Sequence, residues 1–408
     1  MPRHLAITLL ALLSLTACGS PSGPKQNPVP QPNPVTQPNP VTQPNPVPNP
    51  TPSPDPEPKP TTITFSTVDT IAGQPSVRGS ANGPGASATF NYPVGLAATT
   101  AAGARNGEVL LYIAGLTENI RYAQVGYAGN PVGTAIGKGE SGSVDGDVST
   151  AKVRAPQGIA VGYSDDAYEA YAYWTEDDSC VVRTLTRYPL NGNRKAVTVA
   201  GQAYKCGAAD GPAASAKFNR PDGIVANTRT GEVFVADTQN YTLRRIYGGS
   251  VSTIAGVAGQ SGSVDGVGGA ARFASPGGLA MDRAENLYVT DDGTVRKVTP
   301  AGEVSTLAGK AGETGNVDGP AQTARFGRLK GLAVDENNFI YVADSGNHSV
   351  RRIAPDGSVT TVAGIASAAG AADGSVNVAT FNTPSGLAYS NKQLFVSDSD
   401  GQTIRRIR

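Results

Sequence analysis

Short apolar stretches and polar turn clusters alternate along most of the chain, and residues 341–364, YVADSGNHSVRRIAPDGSVTTVAG, show the pattern clearly. Residues 341–343 and 350–353 are rich in β-branched and aromatic side chains, while residues 344–347 between them are turn formers. Apolar runs of this length, bounded by turn residues, predict a β-hairpin. The same phrase recurs with small changes, so the pattern predicts an all-β protein built from repeats.

The most regular feature of the repeats is a fixed spacing. An Asx-Gly pair is followed by an apolar residue eight positions after the Asx and by a Gly five positions further on. An Ala lies two residues before each apolar residue, and six copies with this spacing are far beyond chance. The copies are Asn82, Phe90 and Gly95; Asp145, Val153 and Gly158; Asp210, Phe218 and Gly223; Asp265, Phe273 and Gly278; Asp318, Phe326 and Gly331; and Asp373, Phe381 and Gly386.

Each copy continues with four apolar segments, which in the fifth copy are residues 331–335, 339–344, 349–353 and 358–364. Four strands per repeat are typical of one blade of a β-propeller. Because a single blade cannot bury both of its faces, blades are repeated until the ring closes. The six copies therefore predict an all-β, six-bladed β-propeller over residues 63–408.

The ends of the chain indicate how the ring closes. Residues 67–73, TVDTIAG, match the fourth strand of a repeat, whereas the chain stops in a third strand at residues 403–408. We therefore predict that the amino-terminal strand completes the last blade, which begins at Gly386, and removes its open edge.

Three phrases of the repeats resemble a known family. Residues 233–246, VFVADTQNYTLRRI, residues 341–353, YVADSGNHSVRRI, and residues 394–407, LFVSDSDGQTIRRI, resemble the NHL repeat. Asn347 and His348 stand where that family has its Asn-His-Leu, although Ser follows them here instead of Leu. The resemblance implies a six-bladed propeller of NHL type. It implies no single function, because members range from RNA-binding and protein-binding modules to lyases and relatives of lactonases.

A different kind of sequence precedes the repeats. Arg3 is followed by an uncharged apolar run, residues 5–17, which is too short to span a bilayer and is typical of an export signal. Residues 15–18, LTAC, resemble the lipobox of bacterial lipoproteins, and by this resemblance Cys18 would become the lipidated first residue. An ordinary secretory signal with a chance Cys is the alternative. Because Gly19 is not the Asp that often retains such proteins at the inner membrane, we expect the outer membrane or cell surface if two membranes are present.

A proline-rich segment joins this signal to the repeats. Of the 40 residues 21–60, 17 are Pro, which excludes helix and sheet and favours an extended polyproline conformation. A recognition motif for a partner is the alternative, although the repeated phrase QPNPVT carries no aromatic or charged anchor. The predicted order is a lipoprotein signal peptide at 1–17, a lipidated and proline-rich stalk at 18–62, and the propeller at 63–408.

Acidic residues recur where the predicted second strands end, each followed by an Arg on the third strand. An antiparallel hairpin brings such residues together, so we predict structural pairs in which the carboxylate caps the turn and meets the Arg. The pairs are Asp237 and Arg244, Asp344 and Arg351, Asp398 and Arg405, Glu176 and Arg183, and, with a spacing two residues shorter, Asp291 and Arg296.

Two cysteines remain if Cys18 is lipidated, and an oxidising envelope would favour their pairing. Cys180 falls between the predicted second and third strands of its repeat, and Cys206 falls just after the fourth strand. These two connections leave a propeller on the same face. A disulfide between Cys180 and Cys206 is therefore the prediction, and two free thiols are the alternative.

The same face surrounds the mouth of the central channel, where six-bladed relatives place ligands. The residue before each strand-initiating Gly is expected close to the axis, and we call these six positions the ring residues. Gln157, Asp222, Lys330 and Ser385 are the candidates for binding a ligand, and a water-filled channel is the alternative. The six ring residues are Val94, Gln157, Asp222, Gly277, Lys330 and Ser385.

Metals and other cofactors find little support in the sequence. Lactonase-like relatives hold a divalent metal with several carboxylate and amide oxygens, but the ring residues include one acid, one amide and one Lys. Zinc lyase relatives need several His ligands, and this chain has His4, in the signal, and His348. The Asp-Gly pairs lack the alternating carboxylates of a calcium loop and are predicted to be turns. We therefore predict no metal and no cofactor.

Charge and composition bear on the partner. Lys plus Arg and Asp plus Glu both total 33, so the basic face that nucleic acid requires is not expected. Trp174, the single Trp, lies in a predicted second strand and is expected to pack within its blade. The second repeat also has a polar insertion at residues 162–170, and insertions of this kind often take part in recognition.

The predicted function is a monomeric, envelope-tethered binding or interaction scaffold without chemistry of its own. Its partner would be an envelope protein, a peptide or a small molecule, its membrane contact would be the lipid anchor, and nucleic acid is excluded. One alternative is a metal-dependent hydrolase or lyase of the lactonase-like propellers. Another is a structural or sensory role through docking with another envelope protein on the loop face.

Overall fold

Six antiparallel β-sheets make up the part of the chain that the structure describes. The structure is a computed structural model, and it describes residues 62–99, 108–163, 170–186 and 194–408. The predicted signal peptide, the lipidation site Cys18, nearly all of the stalk and most of the insertion at 162–170 lie outside these residues.

Each sheet is one blade, and its four main strands follow one another from the channel outwards. Blades 1, 2 and 3 contain Pro93–Thr99, Val109–Gly115, Ile120–Val125 and Val132–Ile136; Pro156–Tyr163, Ala170–Glu176, Val181–Thr186 and Lys195–Ala200; and Pro221–Ala226, Val233–Asp237, Thr242–Tyr247 and Ser250–Gly256. Blades 4, 5 and 6 contain Pro276–Met281, Leu287–Asp291, Thr294–Val298 and Glu303–Gly309; Leu329–Val334, Ile340–Asp344, Ser349–Ile353 and Val359–Ala363; and Pro384–Ser390, Gln393–Asp398, Thr403–Ile407 and Thr67–Ala72.

Short elements complete the blades. Two-residue strands pair with the outer strands of blades 2, 3, 4 and 6, and they are Gly146–Asp147, Gly211–Pro212, Gly266–Val267 and Gly374–Ser375. The helices of the described residues are single 3-10 turns, namely Gly85–Ser87, Thr238–Asn240, Gly268–Ala270 and Ser345–Asn347. None of the helices in this part of the chain has the length and apolarity needed to cross a membrane.

The closure predicted from the chain ends is confirmed. Thr67–Ala72 pairs antiparallel with Thr403–Ile407 and forms the outer strand of blade 6. The backbone amide of Thr67 donates to the carbonyl of Arg408 at 2.9 Å, and Arg406 Nη2 lies 2.7 Å from Asp69 Oδ2. The first and last strands of the propeller are thus hydrogen-bonded to each other. The third strand of blade 6 therefore has no unpaired edge.

The apolar residues that recur at the fixed spacing form the contacts between blades. Phe90 packs with Leu96 and Ile113 of blade 1 and with Phe395 and Ile404 of blade 6, and all five side chains are buried. Burying both faces of each sheet in this way is the main apolar contribution to stability, which explains why a blade needs a neighbour on either side.

The strand-initiating glycines are explained by the close approach of neighbouring blades. A Cβ on Gly95 would lie 2.1 Å from the carbonyl oxygen of Gln157 in the next blade, closer than a real Cβ can come. A Cβ on Gly386 would lie 2.3 Å from the carbonyl oxygen of Val94, which completes the circle from blade 6 to blade 1. The other four glycines meet the next ring residue in the same way: Gly158, Gly223, Gly278 and Gly331.

A buried Arg joins two carboxylates in five of the blades. In blade 3, Arg244 Nη1 lies 2.6 Å from Asp237 Oδ2, and Arg244 Nη2 lies 2.6 Å from Oδ1 of Asp210, the Asp of the Asp-Gly pair. Asp210 also accepts a hydrogen bond from the amide of Thr253 on the outer strand, and the guanidinium lies 5.2 Å from the ring centre of Phe218. The equivalent sets are Arg183 with Glu176 and Asp145, Arg296 with Asp291 and Asp265, Arg351 with Asp344 and Asp318, and Arg405 with Asp398 and Asp373.

Two blades depart from this pattern. In blade 2, where Val153 replaces the Phe, the buried ring of Trp174 lies 5.4 Å from the guanidinium of Arg183, and its Nε1 donates to Glu176 at 3.1 Å. In blade 1, Arg121 donates to Asn82 Oδ1 at 2.8 Å and to backbone carbonyls, and it meets no carboxylate of the described residues. Burial lowers the pKa of Arg121 to about 10, because no carboxylate offsets the lost hydration of its charge.

The structure joins Cys180 and Cys206 in a disulfide with a Cα–Cα distance of 5.3 Å. Cys180 lies in the turn after the second strand of blade 2, and Cys206 lies in the connection that leads to blade 3. The bond therefore links two connections on the channel-mouth face.

Candidate ligand site at the channel mouth

The inner strands of all six blades begin around one cavity of about 590 Å³. A volume of this size is within the range of sites for small ligands. All six ring residues that were predicted from the sequence line this cavity. The fixed spacing of the repeats therefore identified residues of the cavity wall. The lining ring residues are Val94, Gln157, Asp222, Gly277, Lys330 and Ser385.

The backbone of the ring is held by hydroxyl groups of the second strands. Thr175 Oγ1 donates to the carbonyl of Asp222 at 2.6 Å, and Thr290 Oγ1 donates to the carbonyl of Lys330 at 2.9 Å. Each of these hydroxyls reaches from one blade to the ring residue of the next, which fixes the blades relative to one another. The backbone acceptors are thereby satisfied by protein groups, while the side chains at these positions line the cavity.

Asp222 and Lys330 carry opposite charges without pairing. Both side chains are half-buried, and neither forms an ion pair or a side-chain hydrogen bond with any residue of the described part of the chain. Gly277 lies between them on blade 4, and a Cβ on Gly277 would lie 3.9 Å from Asp222 Oδ2. The same Cβ would lie 3.1 Å from Thr290 Oγ1, so the wall of the cavity is closely packed at Gly277. A partly desolvated charge without a partner is costly, so both groups are available to a ligand.

Ser385 is more closely tied to the protein than the other candidates. It is buried, its Oγ lies 2.8 Å from Ser399 Oγ, and it donates to the carbonyl of Thr383 at 3.2 Å. His348, the one His of the described residues, accepts a hydrogen bond from the amide of Thr383 and forms no hydrogen bond with Ser385. A Ser nucleophile needs a base within hydrogen-bond reach, and this arrangement provides none there.

The cavity also has lining residues that were not predicted. Asp292 and Asp400 come from the turns after the second strands of blades 4 and 6, and Arg328 immediately precedes the inner strand of blade 5. Asp292 and Arg328 are exposed at the rim, whereas Asp400 accepts a hydrogen bond from Thr383 Oγ1 at 2.6 Å. The signal that could have identified the turn residues is their position, since the turn after every second strand opens on this face.

The basic residues at the mouth come from a single blade. Asp222 and Asp292 belong to blades 3 and 4, while Lys330 and Arg328 belong to blade 5. Burial raises the pKa of Asp177, in the neighbouring turn of blade 2, and the charge of Asp222 raises it further. The acidic lining residues therefore come from blades 3, 4 and 6, whereas both basic ones come from blade 5.

The donor set does not suit a divalent metal. Asp222 and Gln157 are the ring residues with good oxygen ligands for a hard cation, and the ammonium of Lys330 would repel one. Over the described residues as a whole, His, Cys, Asp and Glu do not come together in groups of three or more that could hold a metal ion.

Comparisons with known proteins bear on the fold. A family model of the NHL repeat matches residues 326–353. NHL repeat-containing protein 2 of Bos taurus is 33% identical over 151 residues, which are 33% of this chain and 21% of that protein. Protein SUPPRESSOR OF QUENCHING 1, chloroplastic, of Arabidopsis thaliana is 27% identical over 286 residues, which are 65% of this chain and 25% of that protein. The chain thus spans a quarter or less of the length of these curated relatives.

Solved structures match over most of the chain. A structural genomics protein of unknown function from Bacteroides thetaiotaomicron is 22% identical with a TM-score of 0.61, and the match covers 84% of this chain and 75% of that one. An auxiliary nutrient binding protein from the same organism is 17% identical with a TM-score of 0.62, over 84% of this chain and 76% of that one. The six sheets and these likenesses show that the protein is an all-β, six-bladed β-propeller, and the family model shows an NHL repeat at residues 326–353.

Proposed function

We propose that this protein is a non-catalytic binding scaffold that takes a small polar ligand or a peptide at the channel mouth. The observation that carries the proposal is the unpaired set of polar side chains, Gln157, Asp222 and Lys330, around a cavity of about 590 Å³. Such groups fix the orientation of a ligand and provide specificity. No nucleophile and base come together among the described lining residues, so the site has the parts for binding and lacks those for covalent catalysis.

The names of two proteins with this fold agree with the proposal. The protein from Bacteroides thetaiotaomicron described above and a second one from Bacteroides ovatus are both called auxiliary nutrient binding proteins. Both are under 20% identical to this chain, so their names suggest a class of function and do not identify a ligand.

The proposed location follows from the sequence before the propeller. The segment LTAC at 15–18 supports lipidation at Cys18, and the proline-rich stalk would hold the propeller away from the membrane of the cell envelope. A scaffold tethered in this way would act as a monomer and would present the channel mouth to ligands or to a partner protein. Metabolic labelling with a radioactive fatty acid, in the wild type and in Cys18→Ala, tests the anchor.

Blocking the mouth tests the proposed site. Val94 already has a side chain in the cavity, so Val94→Trp would fill part of it without changing the strand, because Trp is favourable in strands. The purified full chain would be screened by thermal shift against amino acids, short peptides, sugars and nucleosides. We expect ligands whose stabilising effect is lost in Val94→Trp and kept in Val148→Trp, which alters an exposed Val away from the cavity. Binding that survives Val94→Trp, or no binding from any class, would contradict the proposal.

A further inference from the structure

The two unpaired charges at the mouth have a definite arrangement around the ring. Asp222 is on blade 3 and Lys330 is on blade 5, with Gly277 of blade 4 between them. The two side chains are more than 4.0 Å apart, since they form no ion pair. If their role were to stabilise the fold, they would be expected to meet a partner, as the Arg and Asp residues within the blades do.

Two further charged residues, one acidic and one basic, lie exposed at the rim of the cavity. Asp292 belongs to blade 4 and Arg328 to blade 5, so the acidic residue again precedes the basic one around the ring. Neither side chain has a protein partner among the described residues. With Asp400 on blade 6, the positive charges of blade 5 lie between carboxylates on both sides, so a ligand that carries both charges finds groups of both signs.

The spacing of the charges distinguishes between zwitterions. In a free amino acid the ammonium and carboxylate are attached to the same carbon, whereas Asp222 and Lys330 belong to blades that are separated by blade 4. In a short peptide the two termini are separated by at least one peptide unit, which suits charges on either side of Gly277. The cavity of about 590 Å³ also exceeds the volume that a single amino acid would fill.

We infer that the ligand of the channel mouth is a short peptide with free termini, whose ammonium group binds at Asp222 and whose carboxylate binds at Lys330. This inference rests on the proposed binding function and names its ligand class. Gln157, which also lines the cavity, would serve the peptide unit between the termini, because its amide can both donate and accept. Gly277 adds no side chain to the wall between the two charges, so the backbone of the peptide would pass over it.

Capping the peptide termini tests the inference. The probes are the tripeptides Ala-X-Ala, with X varied, in free, N-acetylated and C-amidated forms, titrated calorimetrically into the full chain. We expect at least one free tripeptide to bind and to lose about tenfold or more in affinity on either modification, because each removes one charge-assisted contact. Failure of every free tripeptide to bind, or binding that is indifferent to both caps, would overturn the inference.

Two substitutions assign each terminus to its residue. In Asp222→Asn the penalty for N-acetylation should nearly disappear while the penalty for C-amidation stays, and in Lys330→Met the reverse should hold. Asp356→Asn and Lys138→Gln change exposed charges away from the cavity and should leave both penalties unchanged. The opposite assignment, or loss of both penalties in one variant, contradicts the arrangement proposed here.

The same variants separate this inference from the proposed function. If a neutral sugar or nucleoside binds, and Val94→Trp abolishes its binding while Asp222→Asn and Lys330→Met do not, the ligand class is wrong and the binding function stands. If no ligand of any class depends on Val94→Trp, both fail.

Discussion

At the scale of single residues, the buried Arg of each blade shows how one change of side chain alters local energetics. Arg121 of blade 1 bonds to Asn82, whereas the equivalent Arg244 bonds to Asp210 at 2.6 Å. Asn82→Asp would place a carboxylate beside a buried guanidinium whose pKa burial has lowered to about 10. We expect it to raise the free energy of unfolding by about 1 kcal/mol, a low value for a charge-assisted hydrogen bond because the equivalent Asp residues are partly exposed.

Urea unfolding of the purified protein would measure this change. Asp210→Asn, which converts blade 3 to the arrangement of blade 1, is the matched control and should lower the free energy of unfolding by a similar amount. If Asn82→Asp is neutral or destabilising while Asp210→Asn is destabilising, the carboxylate does not stabilise Arg121 in blade 1.

Asp398 gives a prediction for the dependence of stability on pH. It shares Arg405 with Asp373, and burial raises the pKa of Asp398 to about 7 although Arg405 favours its charged form. In the unfolded chain the pKa of an Asp is about 3.9, so the folded state binds this proton more tightly. The contribution of Asp398 to stability therefore increases as the pH falls through about 7, and it is complete below about 4.

The variant Asp398→Asn removes this titration, and its Oδ1 can still accept the hydrogen bond that Asp398 takes from the amide of Asn382 at 2.6 Å. We expect the free energy of unfolding to rise between pH 8 and pH 5 by a larger amount in the wild type than in the variant. Urea unfolding at several pH values in this range measures the free energy of unfolding of both proteins. Other titrating groups contribute equally to the wild type and the variant, so their effects cancel when the two are subtracted. If the free energy of unfolding changes with pH by the same amount in both proteins, the pKa of Asp398 is not raised.

At the scale of elements, the strand Thr67–Ala72 has the largest expected effect. It buries Val68, Ile71 and Ala72, and it covers the edge of Thr403–Ile407. Deletion of residues 62–73 should lower the free energy of unfolding by several kcal/mol and promote aggregation, because it removes core side chains and exposes an open strand edge.

Melting curves and light scattering would compare this deletion with deletion of residues 19–61, which we expect to leave the melting temperature of the propeller unchanged. Adding a synthetic peptide of residues 62–73 should restore stability to the shorter protein, since the missing strand can pair from outside. A deletion of 62–73 that melts like the wild type would show that the outer strand of blade 6 is dispensable.

The elements also show what could be predicted from the sequence. The blades, their closure and the ring around the channel follow from spacing, because every repeat places Gly and its preceding residue at the same point of a strand. The contact between Arg244 and Asp210 could not be predicted, since it depends on where the two-residue strand Gly211–Pro212 meets the outer strand. Asp292 and Arg328 were missed for a related reason, as loops lack the periodicity from which strands are recognised.

At the scale of the whole molecule, a nearly symmetric backbone carries an asymmetric ring of side chains. All six blades contribute a residue at the same place, yet the six residues include one acid, one amide, one ammonium group and one hydroxyl. The metal-binding propellers considered as the alternative require several oxygen ligands to converge on the axis. Here the positions of Val94 and Gly277 offer no side-chain ligand, and Lys330 opposes a cation.

Metal content therefore decides between a binding scaffold and a metal-dependent hydrolase or lyase. We expect elemental analysis of the purified protein to find no stoichiometric divalent metal, and a chelator to leave the melting temperature unchanged, because a metal bound to the folded state would stabilise it. Melting with added Ca²⁺, Mg²⁺ or Zn²⁺ is the control for a weakly held ion lost in purification. One tightly held ion whose removal lowers the melting temperature, and whose binding Asp222→Asn weakens, would instead place a metal at the ring and direct the search to lactone and ester substrates.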